Sequence, residues 1–298
     1  MKKALFVGLA VFAAVYIVVW IRASVRAGSS NAESSSQAAL PSLSQTAIGF
    51  VTNFFDTLGI GSFAPTTAVY KLTHMVPDAL IPGTMNVGHT LPVVVMAYIY
   101  ISIVEVEATT LTVLIATSIL GAWLGADFVS RLPRRPIQIA IGLGLLVAAV
   151  LMALSQLGFG PVGGETLGLQ GWMLIAAGAG NFVLGALNTI GVGLYGPCMI
   201  MVALLGMDPI AAYPIMMGSC AFLMPVGSSR FVQKGAYSPR PALGLTLGGI
   251  PAVLIAAFIV KSLSLGTLRW VVVVVATFTA ILMLRSARRG EGDDVARA

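Results

Sequence analysis

The fold is decided by one stretch, Asp56-Thr57-Leu58-Gly59-Ile60-Gly61-Ser62-Phe63-Ala64-Pro65, which recurs 132 positions later (188 − 56) as Asn188-Thr189-Ile190-Gly191-Val192-Gly193-Leu194-Tyr195-Gly196-Pro197. Each copy interrupts a long apolar segment, and the match continues at the same offset through Met75/Met207, Pro77/Pro209, Pro82/Pro214 and Met85/Met217. Duplicated halves whose apolar segments are interrupted by Gly and Pro at corresponding positions are typical of the substrate sites of secondary transporters. The sequence therefore predicts two related transmembrane halves, each containing a broken helix.

The composition indicates an integral membrane protein. Of the 298 residues, 57% are hydrophobic and only 9% are charged, whereas soluble domains carry about 25% charged residues. Apolar runs of roughly 18 residues or more separate the charges, and each run is long enough to cross a bilayer as a helix. We therefore expect an all-α, polytopic helical protein that is surrounded by the lipid bilayer.

The positions of the charges and of the cysteines argue against nucleic acid and metal ions as partners. The formal net charge is +6, but the Lys and Arg residues lie mainly in short connections, where they report membrane orientation and do not indicate nucleic-acid binding. Cys198 and Cys220 lie in apolar surroundings and lack the spacing of a metal site. No metal and no cofactor are predicted.

The chain is predicted to divide into five parts. Basic residues flank an apolar run over residues 4–21, which is longer than the core of a signal peptide and favours a retained anchor helix over residues 1–26. Residues 27–43, rich in Ser, Ala and Gln, are predicted to form a flexible linker. The other three parts are a first transmembrane repeat, a second repeat and a polar tail, over residues 44–157, 171–285 and 286–298.

The basic residues favour an inverted relation between the two repeats. If the interrupted segment re-enters and leaves on the same side, each repeat crosses the membrane three times and the copies are inverted; a single crossing makes them parallel. Inversion leaves Lys2, Lys3, Lys261 and Arg269 outside, so the parallel arrangement stays open. The advantage of the inverted arrangement is that three basic clusters lie in the cytoplasm: Arg131/Arg134/Arg135, Arg230/Lys234/Arg240 and Arg285/Arg288/Arg289.

The glycines and the proline of each interruption predict a loop that can bind an anion. Gly59 and Gly61, matched by Gly191 and Gly193, permit backbone conformations closed to other residues and let a ligand approach the main chain. The proline that follows suits the first turn of a second half-helix. Free N–H groups at the start of such a half-helix bind anions. The alternative is that these glycines only allow close helix packing.

Two titratable groups are candidates for proton coupling. Asp56 is the only acidic residue well inside an apolar segment, and its counterpart is the neutral Asn188. A carboxylate at the bilayer centre costs about 2.5–3.5 kcal/mol on insertion scales, so it usually faces a cavity and has a function. The alternative is a carboxylate that caps a helix through loop N–H groups. His89 is the second candidate, unless it merely bonds to a neighbouring helix.

Small or titratable polar groups from both copies are predicted to line one substrate cavity. Asn53, one helical turn before Asp56, lies on the same helix face. No arginine is expected at the membrane midplane, so N–H groups, hydroxyls and helix dipoles would hold an anion weakly enough for release. Glu105 and Glu107, at a segment end, are predicted to be solvated loop charges. The cavity residues are Asp56, Thr57, Gly59, Gly61, Ser62, Thr66, Asn86, His89, Thr90, Asn188, Thr189, Gly191, Gly193, Tyr195, Cys198, Ser219 and Cys220.

The paired Gly-x-Gly…Pro loops resemble those of the sulfite exporter TauE/SafE family, over residues 44–285. The family's glycine-rich loop corresponds here to Gly59-Ile60-Gly61 and Gly191-Val192-Gly193, while Ser62 and Leu194 stand where many members have a third glycine. The resemblance implies a transporter, not an enzyme, in the bacterial cytoplasmic (inner) membrane. It implies as substrate a small sulfur oxyanion or organosulfonate, such as sulfite, commonly moved with proton coupling. Membrane carriers of this size often pair, which makes a homodimer the assembly to test.

Three other functions compete with this one. A channel or carrier for another small ion or solute is the first; aquaporin-like proteins also pair half-helices, but their Asn-Pro-Ala signature is absent. An intramembrane enzyme is disfavoured because the chain has neither a His-Glu-x-x-His pair nor a Gly-x-Ser-x-Gly elbow. A purely structural subunit is disfavoured because polar broken helices are costly in a membrane unless a function uses them.

Overall fold

A computed structural model describes residues 2–30, 40–129, 164–189 and 194–262, together with scattered positions between 135 and 157 and between 270 and 288. Two 3₁₀ turns lie at Asp78–Leu80 and at Pro209–Ala211. The α-helices of the continuous ranges are α1 (Lys2–Ser30), α2 (Leu43–Thr57), α3 (Phe63–Thr73), α4 (Ile81–Ile103), α5 (Ala108–Val129), α6 (Gly171–Thr189), α7 (Tyr195–Leu204), α8 (Ala212–Gln233) and α9 (Pro239–Ser262).

Several of these helices suit a membrane. Within the described ranges the structure has no β-strand, only an isolated bridge between Thr166 and Met207. The predicted class, an all-α polytopic membrane protein, is confirmed. Five described segments are long and apolar enough to cross a bilayer: Lys2–Arg26, Asp78–Ile103, Gly171–Asn188, Pro209–Gln233 and Pro239–Ile259.

The helix bounds recur along the chain at the spacing of the sequence match. α2 ends at Thr57 and α6 at Thr189, a separation of 132 positions (189 − 57). α3 begins at Phe63 and α7 at Tyr195, again 132 positions apart (195 − 63). Each of these short helices is followed by a 3₁₀ turn and then a long helix, α4 or α8. Whether the two halves are inverted or parallel stays a prediction.

In the first of two compact units, α2 and α9 approach closely because glycines remove the side chains between them. A Cβ on Gly49 would lie 2.6 Å from backbone atoms of Gly244 and Leu245, and a Cβ on Gly248 would overlap the Thr46 carbonyl. Small residues at such crossings let two helices gain packing contacts in lipid. This unit contains α1, α2, α3, α4 up to Ile99, α8 from Cys220 and α9 up to Phe258.

The N-terminal helix is packed into this first unit. Tyr16 is fully buried, and its hydroxyl donates a hydrogen bond of 2.7 Å to the carbonyl oxygen of Val87 in α4. Phe12 packs edge-on against Phe222 of α8, with ring centroids 5.4 Å apart. Hydropathy alone predicts only an anchor helix, because it does not show which aromatic side chains contact other helices. The contacts make α1 part of the core of this unit.

The second compact unit is held together by a close contact between α5 and α6. A Cβ on Gly121 would overlap the Phe182 carbonyl, and a Cβ on Gly185 would overlap the Ser118 carbonyl. Each unit therefore combines helices from both halves of the chain. The described part of the second unit comprises Leu58–Ile60, α4 from Tyr100, α5, α6, α7 and α8 up to Ser219.

Glu107 has a structural role that differs from the predicted solvated loop charge. Its side chain is half-buried, and the Thr110 hydroxyl donates to its Oε2 at 2.7 Å. Its backbone N–H donates to the Leu167 carbonyl at 2.7 Å. Glu107 thus ties the start of α5 to the segment before α6, while Glu105 is exposed, as predicted.

Candidate functional site

The connection between α2 and α3 depends on two glycines with left-handed backbone. Gly59 has a φ of 92° and Gly61 a φ of 88°, values that L-residues with a Cβ rarely adopt. A Cβ on Gly59 would lie 3.3 Å from the Tyr213 hydroxyl, whereas a Cβ on Gly61 would meet no heavy atom within 4 Å. Gly59 therefore lies against a neighbour, and Gly61 faces open space that a ligand can approach.

A tyrosine from α8 holds this loop in place. The Tyr213 hydroxyl donates to the carbonyl oxygen of Leu58 at 3.0 Å, and its ring stacks on Tyr100 with centroids 5.1 Å apart and planes at 16°. A hydrogen bond from the stacked ring satisfies a carbonyl that no longer belongs to a helix. Sequence reasoning missed Tyr213, whose only signal is a tyrosine within an apolar segment.

Asp56 and Ser62 join the two ends of the interruption. Both side chains are buried, and the Ser62 hydroxyl donates to Asp56 Oδ2 at 3.0 Å. Ser62 occupies the N-cap position of α3, yet its side chain makes no cap hydrogen bond to that helix. The hydroxyl is directed to the carboxylate instead, so Asp56 is satisfied by a loop side chain. This contact comes from a hydroxyl and not from the loop N–H groups of the capping alternative, so capping and proton carrying by Asp56 both stay predictions.

A buried polar group on α4 lies beside α2 and α3. His89 Nδ1 is 3.0 Å from Asn53 Oδ1, and His89 Nε2 is 3.1 Å from Thr66 Oγ1. All three side chains have no exposed surface. We call Asn53, Thr66 and His89 the His89 cluster. The Phe63 ring covers the imidazole, with centroids 5.9 Å apart. The structure thus brings together one histidine and polar groups from two other helices, and that His89 and Thr66 line a substrate cavity stays a prediction.

Thr90 and Asn86, the other polar candidates on α4, have separate surroundings. The Thr90 hydroxyl is 2.8 Å from the hydroxyl of Ser228 on α8, a partner not among the predicted cavity residues. Asn86 is half-buried and donates to the carbonyl of Pro82, one turn earlier in its own helix, at 2.9 Å. Asn86 therefore does not join the His89 cluster.

The second unit contains a buried amide that sequence reasoning missed. Asn181 on α6 donates through Nδ2 to the Leu114 carbonyl at 2.6 Å and to the Ser219 hydroxyl at 3.1 Å. Of these residues only Ser219 was a predicted cavity residue. The amide links α6 to α5 and α8, which suits a structural role. Its signal in the sequence is a lone asparagine between glycine-rich helical turns.

The second copy of the interruption is described only in part. Tyr195 and Cys198, in the first turn of α7, are buried, as is Cys220 in the first unit; Asn188 is half-buried. α7 begins without a side-chain cap hydrogen bond from its N-cap residue, Leu194. The Thr189 side chain, Gly191 and Gly193 lie outside the described residues. Among the residues that are described, no group of three or more His, Cys, Asp or Glu could hold a metal ion.

Comparison with known proteins identifies the family. A family model described as "Sulfite exporter TauE/SafE" matches residues 1–152. The match includes α1 and the first copy of the interruption, whereas the motifs suggested a likeness over residues 44–285. A search of curated proteins and a search of solved structures gave no match. Because the family model covers more than half of the 298 residues, this chain belongs to the sulfite exporter TauE/SafE family, a family of membrane transporters for sulfur-related anions.

Proposed function

We propose that this protein is a secondary transporter that moves a small sulfur-containing anion, such as sulfite or a sulfonate, across the bacterial cytoplasmic membrane. The observation that carries the proposal is the family match over residues 1–152. The interruption between α2 and α3 lies inside the matched region, and it has the features that an anion site in a membrane needs.

The start of α3 would bind the anion through its backbone N–H groups, and the start of α7 has the same features. Helix N-termini attract anions because their first N–H groups lack intrahelical partners and the helix dipole is positive there. Neither α3 nor α7 has a side-chain cap hydrogen bond from its N-cap residue. These observations support an anion bound at a helix start, and at α3 Gly61 leaves room for it.

Weak binding suits a carrier that must release its substrate. No Lys or Arg side chain that the structure describes is buried, so within this part of the chain no fixed positive charge would trap an anion. Hydroxyls and N–H groups would replace part of its hydration shell. We further propose that Asp56 takes part in proton coupling, because it is a buried carboxylate beside the same loop and contacts Ser62.

Purified protein in liposomes provides the test. With labelled sulfite outside and a pH-sensitive dye inside, we expect sulfite uptake together with proton movement. In Asp56→Asn, proton movement should fall to background, because the amide cannot take up a proton, while sulfite still moves down its own gradient more slowly. Asp78→Asn, at an exposed aspartate, is the matched control and should behave like the unmodified protein.

Two results would contradict this proposal. If neither sulfite nor a sulfonate is transported while another small anion is, the protein is a carrier or channel for that ion. If Asp56→Asn still moves protons with sulfite at the unmodified rate, Asp56 is a capping residue and has no coupling role.

A further inference from the structure

The two ring nitrogens of His89 have partners of different kinds. Asn53 Oδ1 lies 3.0 Å from Nδ1, and Thr66 Oγ1 lies 3.1 Å from Nε2. In a neutral imidazole one nitrogen donates and the other accepts, and the partners decide which is which. The hydrogen-bond pattern around each partner therefore assigns the tautomer of His89.

Asn53 requires a proton on Nδ1. Its Nδ2 donates to the Gly49 carbonyl at 2.7 Å, which orients the amide so that Oδ1, a pure acceptor, faces the imidazole. Gly249 of α9 packs directly on this amide, since a Cβ there would lie 2.5 Å from Asn53 Nδ2. The amide is thus held from both sides, and His89 must donate to it from Nδ1.

Thr66 has one hydroxyl hydrogen and two acceptors within reach. Its Oγ1 is 2.7 Å from the carbonyl oxygen of Ser62 and 3.1 Å from His89 Nε2. When the ring is neutral, Nε2 is an acceptor and the hydroxyl donates to it. When Nε2 carries a proton, it becomes the donor, and the hydroxyl hydrogen must turn to the Ser62 carbonyl. Both positions satisfy every group in the His89 cluster.

We infer that His89 binds a proton at Nε2 and that the Thr66 hydroxyl then turns from the imidazole to the Ser62 carbonyl at the start of α3. Asn53 is the positioning residue that keeps Nδ1 protonated. The proton comes from water and returns to it, and no other bond changes. Ser62 contacts Asp56 through its own hydroxyl. The link to transport rests on the proposed function, whereas the tautomer does not.

The surroundings of His89 contain few other titratable groups. On α2 the only one is Asp56, which is buried and bonded to Ser62. On α3, Tyr70 is buried one turn after Thr66, and Lys71 is exposed. On α9, Arg240 lies in the first turn, more than two turns before the residues that approach the cluster. On α8, which contacts α4 through Ser228 and Thr90, the basic side chain is Arg230, and it is exposed.

Nitrogen-15 NMR of the histidine rings tests the tautomer directly. The chain has only two histidines, His74 and His89, so His74→Gln assigns the signals in a protein labelled at histidine and held in lipid nanodiscs. We expect a protonated Nδ1 and an unprotonated Nε2 at neutral pH, and on acidification a shift of Nε2 alone to the protonated position. In Asn53→Leu the acceptor is lost, and the Nε2–H tautomer should appear. An unmodified protein with Nε2–H at neutral pH, or with Nε2 unresponsive to acid while folded, would overturn the inference.

Transport in liposomes then tests the hydroxyl of Thr66. Thr66→Val should make sulfite uptake insensitive to pH across the range in which Nε2 titrates, whereas Thr66→Ser should restore the dependence because it keeps the hydroxyl. A pH profile unchanged in Thr66→Val would remove Thr66 from the mechanism. Absence of sulfite transport in the unmodified protein would contradict the proposed function. The NMR measurement would still show which ring nitrogen of His89 carries the proton.

Discussion

Gly59 and Gly61 are both required to be glycine, but for different reasons. Each has a φ near +90°, a region that costs other residues about 1–2 kcal/mol. At Gly59 a side chain would also press on the Tyr213 hydroxyl, while at Gly61 there is open space around the missing Cβ. A substitution at Gly61 therefore changes the backbone preference without adding a steric clash, which makes Gly61 the better position for testing the loop.

We expect Gly61→Ala to lower transport about five- to thirtyfold without preventing membrane insertion. The methyl group would meet no neighbour, but the left-handed backbone would be disfavoured by about 1–2 kcal/mol, so the loop would relax and the start of α3 would move. Sulfite uptake in liposomes and the yield of folded protein in detergent measure the two effects.

The matched control is Gly227→Ala in α8. Gly227 also has open space around its missing Cβ, but its φ is not positive. Alanine in a helix interior is about 0.5–1 kcal/mol more favourable than glycine, so this variant should be at least as stable and should transport normally. Equal transport by both variants would show that the left-handed loop is not needed.

At the scale of the element, α4 contains a proline whose effect is compensated by side chains. Pro92 lies inside the helix and has no N–H for the carbonyl four residues earlier, that of Gly88. The Thr246 hydroxyl of α9 donates to this carbonyl at 2.7 Å, and Tyr16 of α1 donates to the neighbouring Val87 carbonyl at 2.7 Å. The carbonyl that Pro92 leaves without a backbone donor is therefore satisfied by α9, directly before His89.

A double-mutant cycle tests this compensation. Thr246→Val leaves the Gly88 carbonyl without its side-chain donor and should lower the free energy of unfolding by about 1–3 kcal/mol. Pro92→Ala restores a backbone N–H to the same carbonyl, so in that background Thr246→Val should cost much less. Thermal unfolding in detergent measures all four proteins. If the two changes are additive, Thr246 does not compensate for the proline.

At the scale of the whole molecule, the open question is the relation between the two halves. α3 and α7 begin 132 positions apart (195 − 63), and their last turns carry a matched pair, Leu72 and Leu204. Both side chains are strongly exposed, at 82% and 66%. In the inverted arrangement these two positions lie on opposite sides of the membrane, whereas in the parallel arrangement they lie on the same side.

Labelling of single cysteines distinguishes the two arrangements. In a background with Cys198 and Cys220 replaced by alanine, we expect a membrane-impermeant maleimide to label Leu204→Cys from outside and Leu72→Cys only from the cytoplasmic side. This follows from placing the three basic clusters in the cytoplasm. Labelling of both positions from the same side would show that the halves are parallel.

The sequence by itself determined the class of the protein, the position of the interruption and most of its buried polar groups. Hydropathy depends on composition along a local stretch, and an apolar run of sufficient length must be a helix in lipid because its backbone groups have no other partner. Such a run ends at Gly59 and Gly61, which have left-handed backbone, whereas Gly248, Gly249 and Pro251 lie inside the continuous helix α9. For the same reason Asp56, Ser62, Thr66 and His89 stood out as polar groups in apolar surroundings.

Only the tertiary structure decided which groups these residues meet. Tyr16, Tyr213 and Thr246 act through hydrogen bonds that join residues 71, 155 and 158 positions apart, and α1 became part of a packed unit through such contacts. Most residues on both the lipid face and the packed face of a membrane helix are apolar or small, so hydropathy does not tell which faces meet. The partner of each polar group is set by helix packing, which the local pattern of the chain does not encode.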